Sequence, residues 1–241
     1  MKGYIITIEF TDLSPRVWRR LVIPDGCTFR RLHETIQFAT NFKSILGTDY
    51  HLYEFVLEKD RIRVTNDEDS YEQHKDFERN KKKYMNKLKK SKSQYSEFER
   101  NRIKALGIQV RKPSGIKIDR FLEEYGSLEY TYDFGDGWNI LITLEDVVND
   151  YYFGYPTLLD GEGDAPPEDV GGVAGFVEFL KEYKNPDSKH HNKAREWAKQ
   201  QHYREYDPDW INHMIKAVKW KKTQWDMINH HNYEVIEDKY R

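Results

Sequence analysis

Tyr4, Ile6, Ile8 and Phe10 alternate with Ile5, Thr7 and Glu9. A period of two is that of a strand with one buried face. A turn at 12–15 leads into a second strand over 17–23, closed by Pro24-Asp25-Gly26. Thr28 is placed to cap a helix, because its hydroxyl can accept a free amide of the first turn. Phe29, Leu32, Ile36 and Ala39 then step by three and four, which predicts an amphipathic helix over 28–42. A third strand follows over 50–57, with a short partner at 62–64.

From 65 to about 126 the apolar pattern thins, and Phe77, Tyr84, Leu88, Tyr95 and Phe98 are isolated points in a Lys/Arg-rich stretch. Good helix formers there predict one long or two shorter exposed helices. Pro113-Ser114-Gly115 is a break, and 118–122 reads as a short helix or a returning strand. The clearest hairpin comes next. Leu128, Tyr130, Tyr132 and Phe134 alternate on one side, and Trp138, Ile140, Ile142 and Leu144 on the other. Gly135-Asp136-Gly137 between them supplies residues tolerant of positive φ.

Residues 155–169 read as a loop, and helices are expected from Gly171-Gly172 to about 183, over 189–201, and from Asp207-Pro208 to about 218. Strands in local pairs, followed by helices with no strands between them, predict an α+β fold: a mixed or antiparallel sheet with packed helices, plus a charged helical insertion. The expected organisation is one domain over 1–64 and 113–219, an insertion over 65–112, and a tail or last helix over 220–241.

Charge sharpens that division. The net charge is −2, yet residues 75–104 hold twelve Lys/Arg against four acids, a local excess of +8 that leaves −10 for the rest. The single cysteine, Cys27, excludes an internal disulfide framework and a multi-cysteine zinc site. No apolar run approaches the length of a membrane span, and the opening residues enter a strand pattern without a leader-like apolar stretch. The expectation is a cytoplasmic protein without membrane contact.

Five pieces occur in order: Trp18-Arg19-Arg20 after Ser14-Pro15; Leu32-His33-Glu34-Thr35-Ile36-Gln37; His51-Leu52-Tyr53-Glu54-Phe55; Tyr132-Asp133-Phe134-Gly135-Asp136-Gly137-Trp138; and residues 161–172 around Pro166-Pro167-Glu168-Asp169. Together, over about 3–60 and 127–215, they resemble the plasmid pRiA4b ORF-3-like family, whose members are also labelled passenger proteins of an insertion element. The resemblance implies a compact α+β domain and an association with plasmids and mobile elements. It implies no established reaction. Many relatives carry cysteines around the Pro-Pro-Glu-Asp loop where this chain has Ala165 and Val170, so no thiolate metal site carries over.

The polar residues of those pieces are His33, His51, Glu54, Asp133, Asp136, Glu168 and Asp169. Carboxylates with imidazoles suit Mg²⁺, Mn²⁺ or Zn²⁺. One reading is therefore a cleft with His33, His51, Asp136, Glu168 and Asp169 as catalytic candidates. Asp136, Glu168 and Asp169 would hold a divalent metal, and Trp18 and Trp138 would wall the site. The structural reading of the same residues is a turn aspartate, helix-entry acids and a hydrogen-bonded core histidine. Arg19 and Arg20 could offer a guanidinium to an anion, but in a strand they point to opposite faces. Lys82, Lys83, Lys89 and Lys90 are the candidates for a nucleic-acid backbone or a protein partner. The leading reading is a non-enzymatic binding or regulatory module that requires no cofactor. The alternative is a metal-assisted phosphoesterase or nuclease.

Overall fold

The computed structural model describes residues 1–44, 51–90, 101, 105, 107–223 and 239–240, with the backbone alone for 87–90. Its frame is an eight-stranded mixed sheet, consistent with the α+β class. In chain order the elements are β1 (Gly3–Phe10), β2 (Trp18–Pro24), α1 (Phe29–Ala39), β3 (Tyr53–Leu57), β4 (Ile62–Thr65), α2 (Glu68–Lys90) and β5 (Gln109–Arg111). A 3₁₀ turn (Pro113–Gly115) leads to α3 (Asp119–Tyr125), β6 (Ser127–Tyr132), β7 (Trp138–Val148), β8 (Thr157–Glu162), α4 (Gly172–Lys184), α5 (His191–Gln200) and α6 (Pro208–Ile215). The strand order is β5-β4-β3-β6-β7-β1-β2-β8. Neighbours are antiparallel except β4 and β5, which are parallel.

The period-two pattern sorts side chains between two faces. Tyr4, Ile6, Ile8 and Phe10 of β1 join the main core with Leu32 and Ile36 of α1, Tyr130 and Tyr132 of β6, and Phe176 of α4. Ile5, between them, faces the other way and packs with Val22, Tyr151 and Leu159 in a small second cluster. Thr28 caps α1 by accepting the Arg31 amide at 3.2 Å. Asp207 caps α6 by accepting from Trp210, with Pro208 next.

Three features differ from the sequence expectation. The stretch 155–169 is not all loop, because β8 pairs with β2 at the sheet edge. Leu158 and Leu159 are buried on opposite faces, and the Asp160-Gly161-Glu162-Gly163 run hid that alternation. Gln109–Arg111 is a short strand alongside β4. The hairpin tip spans 133–137, and its positive-φ residues are Asp133 (φ 52°) and Gly137 (φ 72°) rather than Gly135. No helix among the described residues is long and apolar enough to cross a membrane. The tail expectation falls largely on residues 224–238, outside the described residues.

Candidate functional site

β3 begins where β6 ends, with Tyr53 opposite Tyr132. That register places His51, two residues before β3, beside Asp133, the first residue after β6, and the Asp133 amide donates to the Leu52 carbonyl at 2.9 Å. The loop that precedes α4 folds over the same end. Asn41 and Pro167 form a parallel bridge, the Lys43 amide donates to Glu168 Oε1 at 2.6 Å, and the Tyr132 hydroxyl donates to the same oxygen at 2.8 Å. Asp136 at the hairpin tip accepts the Gly171 amide at 3.2 Å. A Cβ on Gly172 would lie 2.8 Å from the Asp136 carbonyl oxygen, so the loop approaches the hairpin as closely as only glycine permits.

These ties gather three carboxylates around one imidazole. His51 Nδ1 lies 3.5 Å from Asp133 Oδ1, and its Nε2 lies 3.7 Å from Glu168 Oε2 and 3.6 Å from Asp169 Oδ1. One donor atom each from His51, Asp133 and Asp169 falls within 4.8 Å of the others. Donors around one cation bound at about 2.0–2.4 Å stand about 3–5 Å apart, so the spacing fits. Asp133 and Glu168 are buried, while the Asp169 side chain is 70 % exposed and leaves the group open to solvent. The His51 ring meets the Tyr132 ring edge-on, with centroids 5.8 Å apart. Burial pushes the Glu168 carboxyl above the usual range; the Lys43 amide, the Tyr132 hydroxyl and His51 oppose the shift. Burial also lowers the Lys43 amine, and nearby Glu168 and Asp169 counter it. Asp133 and Asp169 both have positive φ, 52° and 55°, a region that Asp and Asn tolerate better than other side chains.

Of the five cleft candidates, the structure brings together His51, Glu168 and Asp169. Asp136 sits nearby as the tie to Gly171 and is not among the three grouped donors. His33 is fully buried, stacked on Tyr53 at 3.7 Å, with Nδ1 2.7 Å from the Tyr130 hydroxyl and Nε2 against the Ser44 carbonyl. Burial holds its pKa near 3, so it is a neutral core residue at physiological pH.

Trp138 is buried against Phe10 and Phe176 and walls nothing open. Trp18 stands on β2 with Arg16 over its ring. Arg20 pairs with Glu145, and Glu54 pairs with Arg63. Arg19 donates to four backbone carbonyls: Trp18, Ala39, Glu162 and Gly163. Lys82 and Lys83 are exposed on α2, and Lys89 and Lys90 close that helix with side chains outside the described set.

Three contributors to the site were not singled out from the sequence. Asp133 belongs to the wider polar set, but the flanking glycines make Asp136 the more conspicuous acid of that hairpin. Tyr132 read as a core position in the alternation. No local pattern distinguished Lys43.

The comparisons with known proteins agree with this architecture. The uncharacterized protein y4hQ of Sinorhizobium fredii (strain NBRC 101917 / NGR234) is 28% identical over 193 residues, covering 80% of this chain and 79% of that protein. The crystal structure of MM3350, a protein of unknown function from Methanosarcina mazei Go1, matches with a TM-score of 0.57 at 25% identity, over 86% of this chain and 96% of that one. A family model described as plasmid pRiA4b ORF-3-like protein matches residues 2–214, which takes in every strand and helix described except the isolated end of the chain and the last residue of α6. The chain belongs to the plasmid pRiA4b ORF-3-like protein family.

Proposed function

We propose that the protein is a binding module organised around a divalent cation held by His51, Asp133 and Asp169, with Glu168 alongside. The observation that supports this reading is the convergence of three donors from segments far apart in sequence to within 4.8 Å. An imidazole with carboxylates is a borderline donor set suited to Mn²⁺ or Zn²⁺. Three protein donors leave coordination positions for a phosphate- or carboxylate-bearing partner. The exposed Lys82 and Lys83 supply positive charge for a nucleic-acid or acidic protein partner on the same chain.

The test is titration calorimetry with Mn²⁺ and with Zn²⁺ on protein stripped with EDTA and dialysed. Asp133→Asn and Asp169→Asn remove a charge while keeping a side chain that tolerates positive φ. The wild type is expected to bind one ion and each variant to bind it at least about tenfold more weakly, the loss of roughly one ligand contact. No heat in the wild type, or the same heat in both variants, rejects the site.

A second reading, metal-assisted phosphoester hydrolysis, is supported by Glu168. Its Oε1 accepts the Lys43 amide and the Tyr132 hydroxyl, and its Oε2 faces His51 beside the three donors, a position suited to taking a proton from a cation-bound water. Mn²⁺-dependent phosphodiester cleavage that is lost in Glu168→Gln while the cation still binds would favour hydrolysis over binding alone. The absence of turnover in the loaded wild type would leave the binding module.

A further inference from the structure

Beyond the cation group, the end of α1, residues 202–207 and the first turns of α6 enclose a cleft of about 380 Å³. That is within the size range of small-ligand sites. Asn41 fixes its frame. Its amide nitrogen donates to the carbonyls of Ala165 and Arg204, and its oxygen accepts the Arg204 amide. Phe38, Phe42, Met214 and Trp210 give the cleft apolar walls. Trp210 is 38 % exposed, unusual for so large a ring on a short buried-face helix.

Two guanidinium groups border this space. Arg19 enters from β2 and is only 2 % exposed. Its hydrogen bonds are all to neutral carbonyls, and its face lies 4.2 Å from the Tyr206 ring centre. Burial draws its pKa down to about 10, which leaves it charged at neutral pH. Arg204 lies over Trp210 at 3.8 Å. Among the described residues neither arginine has a carboxylate within ion-pair distance. The two acids of the cleft are otherwise engaged: Glu205 lies 4.0 Å from Arg195, and Asp207 caps α6. Lys43, on the rim, donates to the Gln201 carbonyl.

Arg19 already has four carbonyls, the Tyr206 ring and the field of nearby Asp164, so the exposed Arg204 is the guanidinium left without a charged partner among the described residues. A guanidinium stacked on an indole keeps its N–H groups in plane for bidentate contact with a phosphate or carboxylate. We infer that this cleft binds a small organic anion with a flat apolar body, its phosphate or carboxylate on Arg204 and its ring against the Trp210 wall.

The inference is independent of the cation reading, and its test is run in EDTA. Calorimetry would use three probes: AMP, benzoate and inorganic phosphate. Arg204→Ala and Trp210→Leu are suitable variants because both side chains are exposed; Arg19 also ties backbone segments together and is left intact. The expected result is saturable binding of AMP or benzoate, weakened at least tenfold in each variant, with unchanged melting temperatures. Whichever of the two binds identifies the head group. Neither probe binding at millimolar concentration overturns the inference, as does binding unaffected by Arg204→Ala. Inorganic phosphate binding as tightly as AMP would remove the flat body from the proposal. Binding that appears only when Mn²⁺ is added would move the anion to the cation and overturn this cleft as its site.

Discussion

His33 and Glu168 have opposite pH dependences, although both are buried titratable groups at the same end of the sheet. Burial lowers His33 from 6.5 to about 3, so the unfolded chain takes up a proton that the native state refuses. Stability from this group is whole above its unfolded pKa and is lost as pH falls from about 6.5 toward 3. His33→Gln is expected to flatten the decline of melting temperature with acid by roughly one proton's worth. Parallel melting curves for wild type and variant across that range would contradict a neutral buried ring. For Glu168 the sign reverses. Its raised pKa means the native state holds the proton more tightly than the unfolded chain, so its contribution weakens as pH rises through the shifted value. Glu168→Gln keeps an acceptor for the Lys43 amide and the Tyr132 hydroxyl. It is expected to melt higher than wild type at neutral pH and equally in acid, and a lower neutral melting temperature would show that the carboxylate charge is a net stabiliser. The same residues show what could be read in advance. Residue types show that imidazole and carboxylates occur together, and the motifs contain His51, Glu168 and Asp169; the fold brings the two carboxylates to within 3.7 Å of the imidazole. Burial could not be read: His33 and His51 look alike in sequence, and only the stacking on Tyr53 and the Ser44 contact separate them. Asp133 was overshadowed because glycine neighbours suggested the turn residue, whereas the positive φ falls on Asp133 itself.

At the scale of elements, period-two and period-three/four spacing identifies β1, α1, the β6–β7 pair, α4 and α6. These carry their own apolar stripe. The two edge strands do not. β8 has two adjacent leucines serving two faces before an acidic glycine run, and β5 has three residues with Val110 alone buried. Edge strands draw their stability from a neighbour's ladder, which local sequence does not reveal. The charged stretch between β4 and the 3₁₀ turn invites a direct test. Phe77 is buried at 3 % and contacts Tyr84, but neither it nor Val110 belongs to the main core. Thr65, Lys112 and Pro113 line one hollow, so the two ends of the stretch lie close together. Replacing 67–112 with a short Gly/Ser linker removes α2 and β5 and leaves β4 as the edge. Closure entropy changes little with loop length, so cooperative unfolding is expected to persist. A variant that melts without a transition would show that the core depends on this segment. In the full chain, Lys→Glu at 82, 83, 89 and 90 is expected to abolish any low-salt shift of single- or double-stranded nucleic acid in a gel, because phosphate contacts carry such affinity. An unchanged shift would place the contact elsewhere.

Across the whole molecule, the proposed cation group lies where the paired ends of β3 and β6 meet the loop entering α4, which is tied to its neighbours by a few hydrogen bonds and one bridge. Without an ion, Asp133, Glu168 and Asp169 share a small volume with His51, and like charges at this range repel. A cation that binds only the folded chain reverses that cost and stabilises by RT ln(1 + [L]/Kd), about 2.7 kcal/mol at a hundredfold excess over Kd. In a chain of this size that corresponds to a rise in melting temperature of about 5–10 °C. The rise should grow with the logarithm of Mn²⁺ or Zn²⁺ concentration and vanish on adding EDTA. Asp169→Asn separates a specific site from general screening of an acidic body. Its side chain is exposed and its backbone conformation suits asparagine, so the ion-free variant should melt at or slightly above the wild type, with one repelling charge gone. It should lose most of the cation-induced rise. Calcium or magnesium at matched ionic strength should give a smaller rise, because an imidazole is a poor donor for hard cations. An equal rise in the variant, or none in the wild type, would mean that the three donors are held together by the fold for its own packing and not to receive an ion.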